Sequence, residues 1–149
     1  MSIKEKLFNK CSEALEVRLS VILKTISDLE TSLQSETKSS VGDKHETGRA
    51  MVQLEREKLG QQLAELQKNK TLLQRIDYSL KHHNVALGSI VFTSQHNYFI
   101  SISEGEINVD NTTFYAISPQ SPIAKLLFGK TEGDAISFRS STFAIVKVI

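Results

Sequence analysis

The chain has 149 residues, one cysteine and a nearly balanced charge, with 18 Lys and Arg against 17 Asp and Glu. Domains that coat nucleic acid are usually strongly basic, so this balance argues against independent DNA binding. A single cysteine excludes an internal disulfide, and no apolar run approaches the ~20 residues that a membrane-spanning helix needs. The first residues also lack the apolar core of a signal peptide, so we expect a cytoplasmic protein without membrane association.

The first part of the chain carries one narrow apolar stripe. The stripe residues recur at steps of three and four: Ile3, Leu7, Cys11, Leu15, Leu19, Ile22, Ile26, Leu29 and Leu33. This spacing predicts one long helix, and a stripe this narrow is typical of a coiled coil. Cys11 lies on the stripe, where we expect it to act as a small buried hydrophobic residue.

Residues 39–49, with the sequence SSVGDKHETGR, interrupt this rhythm. Gly42 favours a tight turn, and two carboxylates, Asp43 and Glu46, lie three residues apart. This spacing is typical of a capping box, in which Asp and Glu bind free N–H groups at the start of a second helix. A Ser40 and Asp43 pair could form the same box one turn earlier. Taken alone, the spacing favours such a cap over a catalytic role.

The second helical segment repeats every seven residues. Its apolar positions are Val52, Leu59, Leu66, Leu73 and Leu80, with Met51, Leu63 and Ile76 between them. Two helices of matched length joined by a short turn predict an antiparallel coiled-coil hairpin over residues 1–83, with its tip near 38–49. Because each narrow apolar stripe can be buried by one partner helix only, and the hairpin supplies that helix, we expect a monomer.

His82 and His83 fall in the last turn of this predicted second helix. A helix dipole favours positive charge at that end. We prefer this explanation to a metal site, because no second cluster of ligands is visible in the sequence.

From residue 84 the apolar period changes to two, and most aromatic residues lie in this part of the chain. The strand-like segments are SIVFTSQ, NYFISISEG, TTFYAIS, DAISF and TFAIVKVI. Ser121 as N-cap, Pro122 at the first helical position and Gly129 after the end predict one short helix. The predicted fold class is therefore α+β, with residues 84–149 forming an antiparallel sheet domain with one short helix. No nucleotide-binding motif or Ser/His/Asp set is visible, so we expect no self-contained enzyme active site.

Residues 121–134, SPIAKLLFGKTEGD, closely resemble the signature of the C-terminal domain of bacterial Gre-type transcript cleavage factors. Residues 88–91 are similar to the start of that domain's first strand, and a long helical hairpin precedes the domain in that family too. The resemblance implies an FKBP-like C-terminal domain that docks on RNA polymerase and a coiled coil that enters its secondary channel. Ser121, Pro122 and Ile123 fall in the docking region. Their positions at the start of a helix would by themselves also explain why these amino acids occur there.

In the Gre-type family, an acidic tip with a Gly-Asp-x-x-Glu core helps to hold a second Mg²⁺ ion and a water at the polymerase active centre. The 3′ end of a backtracked RNA is cleaved there. The core stands here as residues 42–46, GDKHE. The resemblance therefore implies that Asp43 and Glu46 are catalytic residues and metal ligands, but only together with the polymerase. We expect an accessory factor for transcription elongation that is not itself an enzyme and binds no cofactor alone.

The tip also departs from the family pattern. Thr47 replaces the usual Asn, Arg49 replaces a further acidic residue, and Lys44 and His45 add positive charge. Lys44, His45 and Arg49 either form a solvated face or contact RNA phosphate or the channel wall. These departures leave a non-cleaving secondary-channel regulator or inhibitor as the alternative function.

A third interpretation, of another class, is a coiled-coil interaction or chaperone module. An FKBP-like shape also invites a prolyl isomerase interpretation, but fold alone does not give function. Most aromatic residues lie on strand-like segments and are expected in the core, which argues against an isomerase pocket.

Overall fold

The computed structural model describes the backbone of residues 1–38 and 42–149, and the side chains outside residues 36–47. The described residues form two compact units. The first comprises residues 1–14 together with 71–149, and the second comprises residues 15–70. A domain boundary at residue 84 stays a prediction. Within the described ranges, no helix is long and apolar enough to cross a membrane.

Two long helices occupy the first half of the chain: α1 (Ile3–Lys38) and α2 (Gly42–Gln74). Within the unit of residues 15–70 they run antiparallel. Glu16 Oε1 lies 3.3 Å from Lys70 Nζ, and Glu30 Oε1 lies 3.0 Å from Arg56 Nε. In both pairs the two residue numbers add up to 86, so the offset between the helices is the same at both places. The predicted antiparallel pairing is confirmed.

The apolar stripe of α1 is confirmed by burial, since its members are buried or half-buried: Ile3, Leu7, Cys11, Leu15, Leu19, Ile22, Ile26, Leu29 and Leu33. On α2, Leu59 and Leu73 are buried. Met51 does not fill the seam as predicted, because its side chain is 67% exposed. Successive helical residues point about 100° apart, so a position next to the half-buried Val52 turns away from the partner helix.

The prediction that the second helix continues to His83 is wrong, because α2 ends at Gln74. The N–H of Ile76 bonds to the carbonyl of Leu73 at 3.0 Å, a three-residue step that tightens the last turn. Asp77 Oδ1 then accepts from the N–H of Ser79 at 3.0 Å and from its hydroxyl at 2.5 Å. This local turn follows the end of the helix.

The early end of α2 also corrects the predicted roles of the residues beyond it. Leu80 leaves the seven-residue repeat and is 54% exposed. His82 and His83 lie outside any helix, so a helix dipole does not account for them.

Six strands and a short helix follow: β1 (Ile90–Thr93), β2 (Asn97–Ile100), β3 (Gly105–Val109), β4 (Thr112–Ile117), α3 (Pro122–Leu127), β5 (Ala135–Phe138) and β6 (Ser141–Val148). The strand order is β3-β4-β2-β1-β6-β5. All neighbouring strands are antiparallel except β2 and β4, which are parallel. The α+β class and the single short helix are confirmed.

The parallel pair corrects the prediction of a fully antiparallel sheet. NYFISISEG, expected as one strand, divides into β2 and the start of β3. A tight turn at Asp110 and Asn111, with φ values of 52° and 61°, then joins β3 to β4. This turn geometry suits a two-residue hairpin. The hairpin places β4 between β3 and β2, parallel to β2.

A hydrophobic core holds α3 against the sheet. Its buried members are Val85, Val91, Tyr98, Ile100, Ala124, Leu127, Ile136, Phe143 and Ile145. Ala124 and Leu127 come from α3, three residues apart and therefore on one helix face. The same packing leaves the opposite face of α3 toward solvent.

Candidate functional site

Ser121 caps the start of α3. Its backbone is extended, with φ −66° and ψ 149°, and its Oγ accepts from the N–H of Ala124 at 3.3 Å. The same hydroxyl donates to the carbonyl of Ser118 at 2.8 Å. Pro122 occupies the first turn, where its missing N–H costs nothing. The predicted N-cap and first-turn proline are confirmed, so the Ser121 hydroxyl already serves the fold.

The residues after α3 also have local structural roles. Gly129 has a φ of 80°, and its N–H donates to the carbonyl of Val85 at 2.8 Å. Asp134 Oδ2 accepts from the N–H of Thr131 at 2.8 Å, which closes a turn. Gly133, with a φ of 91°, lies inside that turn. Folding requirements therefore explain many residue types in the segment 121–134.

Three apolar side chains of this segment are exposed to solvent. Pro122 is exposed, Leu126 is 41% exposed and Phe128 is 45% exposed. Leu126 lies four residues after Pro122 and therefore on the same side of the helix. We call Pro122, Leu126 and Phe128 the docking surface, because exposed apolar side chains in a small group suit a protein partner.

The predicted docking residues differ in exposure. Pro122 is exposed, whereas Ser121 and Ile123 are half-buried, and Ile123 packs against the core. A docking role for these residues stays a prediction. The exposure of Leu126 and Phe128 was not predicted from the sequence. The signal was the run of three apolar residues LLF, since a short helix on a sheet can bury one face only.

The acidic pair lies near the start of α2. The helix begins at Gly42, so the backbones of Asp43 and Glu46 belong to its first turns. A capping box at Asp43 and Glu46 stays a prediction, because it depends on side chains outside the described residues. The side chains of Asp43, Lys44, His45 and Glu46 lie outside the described residues, as does the backbone of Ser40.

Arg49 is the predicted tip residue whose side chain the structure describes. It is half-buried, so it does not belong to a fully solvated face. Its Nε atom is buried and has no hydrogen-bond acceptor within the described part of the chain. The guanidinium is therefore less hydrated than that of an exposed surface arginine.

The described side chains offer neither a metal site nor an activated cysteine nucleophile. No group of three or more His, Cys, Asp or Glu side chains suited to a metal occurs among the described residues. Cys11 is fully buried, and burial raises the pKa of its thiol to about 11. A thiol with such a pKa is almost entirely protonated at neutral pH and is a poor nucleophile.

Among known proteins, the similarity that was found is to solved structures. No protein-family model matches the chain, and no curated protein matches it. A solved structure described as the transcription factor Gfh1 is similar at 21% sequence identity, with 91% of each chain covered and a TM-score of 0.35.

Proposed function

We propose that this protein is a transcription elongation factor that binds RNA polymerase, inserts its coiled coil into the secondary channel and stimulates cleavage of backtracked RNA. The observation that supports this most is the antiparallel pairing of α1 and α2. Because α1 ends at Lys38, α2 begins at Gly42 and the two helices run antiparallel, residues 42–46 lie at the connected end of the pair. That is the position at which a Gly-Asp-x-x-Glu tip could reach a distant active centre.

The length of the helices supports the same function. At about 1.5 Å per residue, helices of 36 and 33 residues extend about 50 Å. The docking surface supports a separate attachment point, since folding does not require apolar side chains at the exposed positions Leu126 and Phe128. In this proposal the docking surface provides most of the affinity for RNA polymerase, and the tip provides the carboxylates for the metal site.

The donor set at the tip suits Mg²⁺. This ion prefers hard oxygen ligands and commonly uses one or two carboxylates together with waters and phosphate oxygens. A Mg²⁺ ion bound there would activate water and stabilise displacement at phosphorus. Asp43 and Glu46 would hold it only together with polymerase carboxylates, because two carboxylates alone form a weak site.

The decisive experiment compares wild type with Asp43→Asn on a stalled, backtracked elongation complex. We expect wild type to stimulate cleavage and Asp43→Asn to abolish the stimulation with nearly unchanged polymerase binding. Asn has almost the same shape but lacks the charge that a hard cation needs. Glu46→Gln should behave alike, and both variants should partly recover at high Mg²⁺ concentration.

A matched control is Glu57→Gln, which removes an exposed carboxylate from α2 away from the tip. This variant should cleave like wild type. If Asp43→Asn and Glu46→Gln both stimulate cleavage as well as wild type does, the carboxylates have no catalytic role and the proposal is wrong.

The second candidate function is a channel-binding regulator that does not cleave. It is favoured by Arg49, which replaces an acidic family position and is half-buried. In that case wild type should slow elongation without cleavage, and Arg49→Glu should gain cleavage. An Arg49→Gln control separates the added negative charge from the mere loss of the arginine.

A further inference from the structure

Lys4 is a buried cation near the start of α1. Its side chain is only 5% exposed, although lysine is almost never buried without a charged partner. Its Nζ atom donates to the carbonyl of Leu80 at 2.6 Å and lies 3.0 Å from His82 Nδ1. Within the residues that the structure describes, no carboxylate comes within 4.0 Å of this nitrogen.

The neighbours of Lys4 only partly stabilise its charge. A carbonyl and a neutral imidazole can accept two of its three N–H groups, which leaves one donor. Burial lowers the pKa of Lys4, and the carboxylate of Asp77 offsets this only in part. The pKa of His82 is also lowered, first by burial and then by Lys4. His82 therefore stays neutral near Lys4 at neutral pH and adds no competing charge.

Lys4 lines a pocket of about 530 Å³ within the unit of residues 1–14 and 71–149. Lys81 and Lys147 also line it, whereas no Asp or Glu side chain does. The other lining residues are Ile3, Tyr78, Leu80 and Ile149, which are largely apolar, together with Ser2 and Ser79. Pockets of this size hold small organic molecules.

We propose that this pocket binds a small organic anion that carries an apolar body. A carboxylate would accept from the remaining N–H of Lys4, with Lys81 and Lys147 adding positive charge at the pocket wall. The apolar body would lie against Tyr78 and Leu80. An anion suits this site because a carboxylate would further stabilise the charge of an ammonium group that has little contact with water.

The test uses the full chain and three probes in calorimetric titration: octanoate, acetate and octan-1-ol. Octanoate carries both charge and apolar body, acetate lacks the body, and octan-1-ol lacks the charge. We expect octanoate to bind at least roughly tenfold more tightly than either control, a ratio that corresponds to about 1.4 kcal/mol. Equal binding of octan-1-ol and octanoate would overturn the proposal, as would no detectable octanoate binding.

Variants identify the site. Lys4→Met keeps the length of the side chain without its charge and should weaken octanoate binding by roughly tenfold or more. Lys147→Met should weaken octanoate binding by a smaller factor. If Lys4→Met folds poorly, Lys147→Met still tests whether octanoate binds in this pocket. Lys24→Met, an exposed position elsewhere on α1, is the matched control and should bind like wild type. Full octanoate affinity in both Lys4→Met and Lys147→Met would refute the assignment.

A pH series adds an independent readout. Binding needs protonated Lys4, whose pKa is lowered by burial. Octanoate affinity should therefore fall as pH rises, beginning below the value of about 10.4 that is usual for lysine. Affinity that stays constant from pH 7 to pH 11 would contradict the role of Lys4.

Discussion

The Sγ atom of Cys11 lies 3.8 Å from the Oγ atom of Ser101, and both side chains are fully buried. Burial raises the pKa of the thiol to about 11, and the contact with Ser101 only partly opposes this. The unfolded chain should titrate its thiol near the ordinary value of about 8.5. The difference makes stability depend on pH.

We expect Cys11 to lower the free energy of unfolding in alkaline solution. Between roughly pH 9 and 11 the unfolded state loses the thiol proton while the folded state keeps it. The folded state then binds more protons, so stability falls as pH rises, by at most about 1.4 kcal/mol per pH unit. Urea unfolding of wild type and Cys11→Ala at several pH values measures this difference. Parallel stability curves for the two proteins would contradict the raised pKa.

Gly88 should resist substitution more strongly than another glycine with similar backbone geometry. Gly88 has a φ of 89°, and an added Cβ would lie 3.0 Å from Ile76 Cγ2. Gly105 has a φ of 78°, but a Cβ there would meet no atom within 4 Å. Gly105→Ala should therefore cost about 1–2 kcal/mol from the backbone alone. Gly88→Ala should cost a further ~1–3 kcal/mol from overpacking. Equal losses of stability for the two variants in thermal or urea unfolding would show that Ile76 moves aside without an energetic cost.

Leu59 should be a main stabilising residue of the antiparallel helical pair. It is only 6% exposed, so Leu59→Ala should destabilise the protein by about 2–5 kcal/mol through lost burial and a cavity. Leu54 on the same helix is 66% exposed, and Leu54→Ala should change stability by less than about 0.5 kcal/mol. Circular dichroism during urea unfolding checks both values. A Leu59→Ala protein as stable as Leu54→Ala would show that Leu59 is not part of the packed seam.

The docking surface should contribute to polymerase affinity without contributing to folding. Phe128→Ala and Leu126→Ala remove exposed apolar groups, so melting temperatures should change little. Each should weaken polymerase binding by roughly tenfold if the surface is a hot spot. Val146, which is 54% exposed on β6, supplies the control variant Val146→Ala. Unchanged affinity in the Phe128→Ala, Leu126→Ala double variant would place polymerase docking elsewhere.

Local patterns predicted much of the fold. The stripe of α1 follows from helical periodicity, and the start of α3 follows from Ser121 and Pro122, whose chemistry acts within one turn. The end of α2 was missed because the heptad continues to Leu80, whereas the helix ends at Gln74 and a turn at Asp77 and Ser79 follows. A short Asp-x-Ser signal was present, but a long apolar repeat outweighed it.

Non-local features could not be derived from the sequence. The parallel pairing of β2 with β4 depends on where the hairpin of β3 and β4 packs. The burial of Lys4 depends on residues near position 80, far away in the chain. The exposure of Phe128 depends on which face of α3 meets the core. The acidic tip was recognised from a resemblance to a known family, because its spacing alone favoured a helix cap.

The division of the chain into compact units has a consequence for its synthesis. The unit of residues 15–70 is continuous in sequence, so its two helical segments can pair while the ribosome is still making the rest. The other unit combines residues 1–14 with residues made last, and its sheet joins Val91 to Val148. The first fourteen residues must therefore wait for nearly the whole chain to emerge. During that interval Leu7 and Cys11 lack the residues that cover them in the folded protein, so their apolar side chains are open to a nascent-chain chaperone.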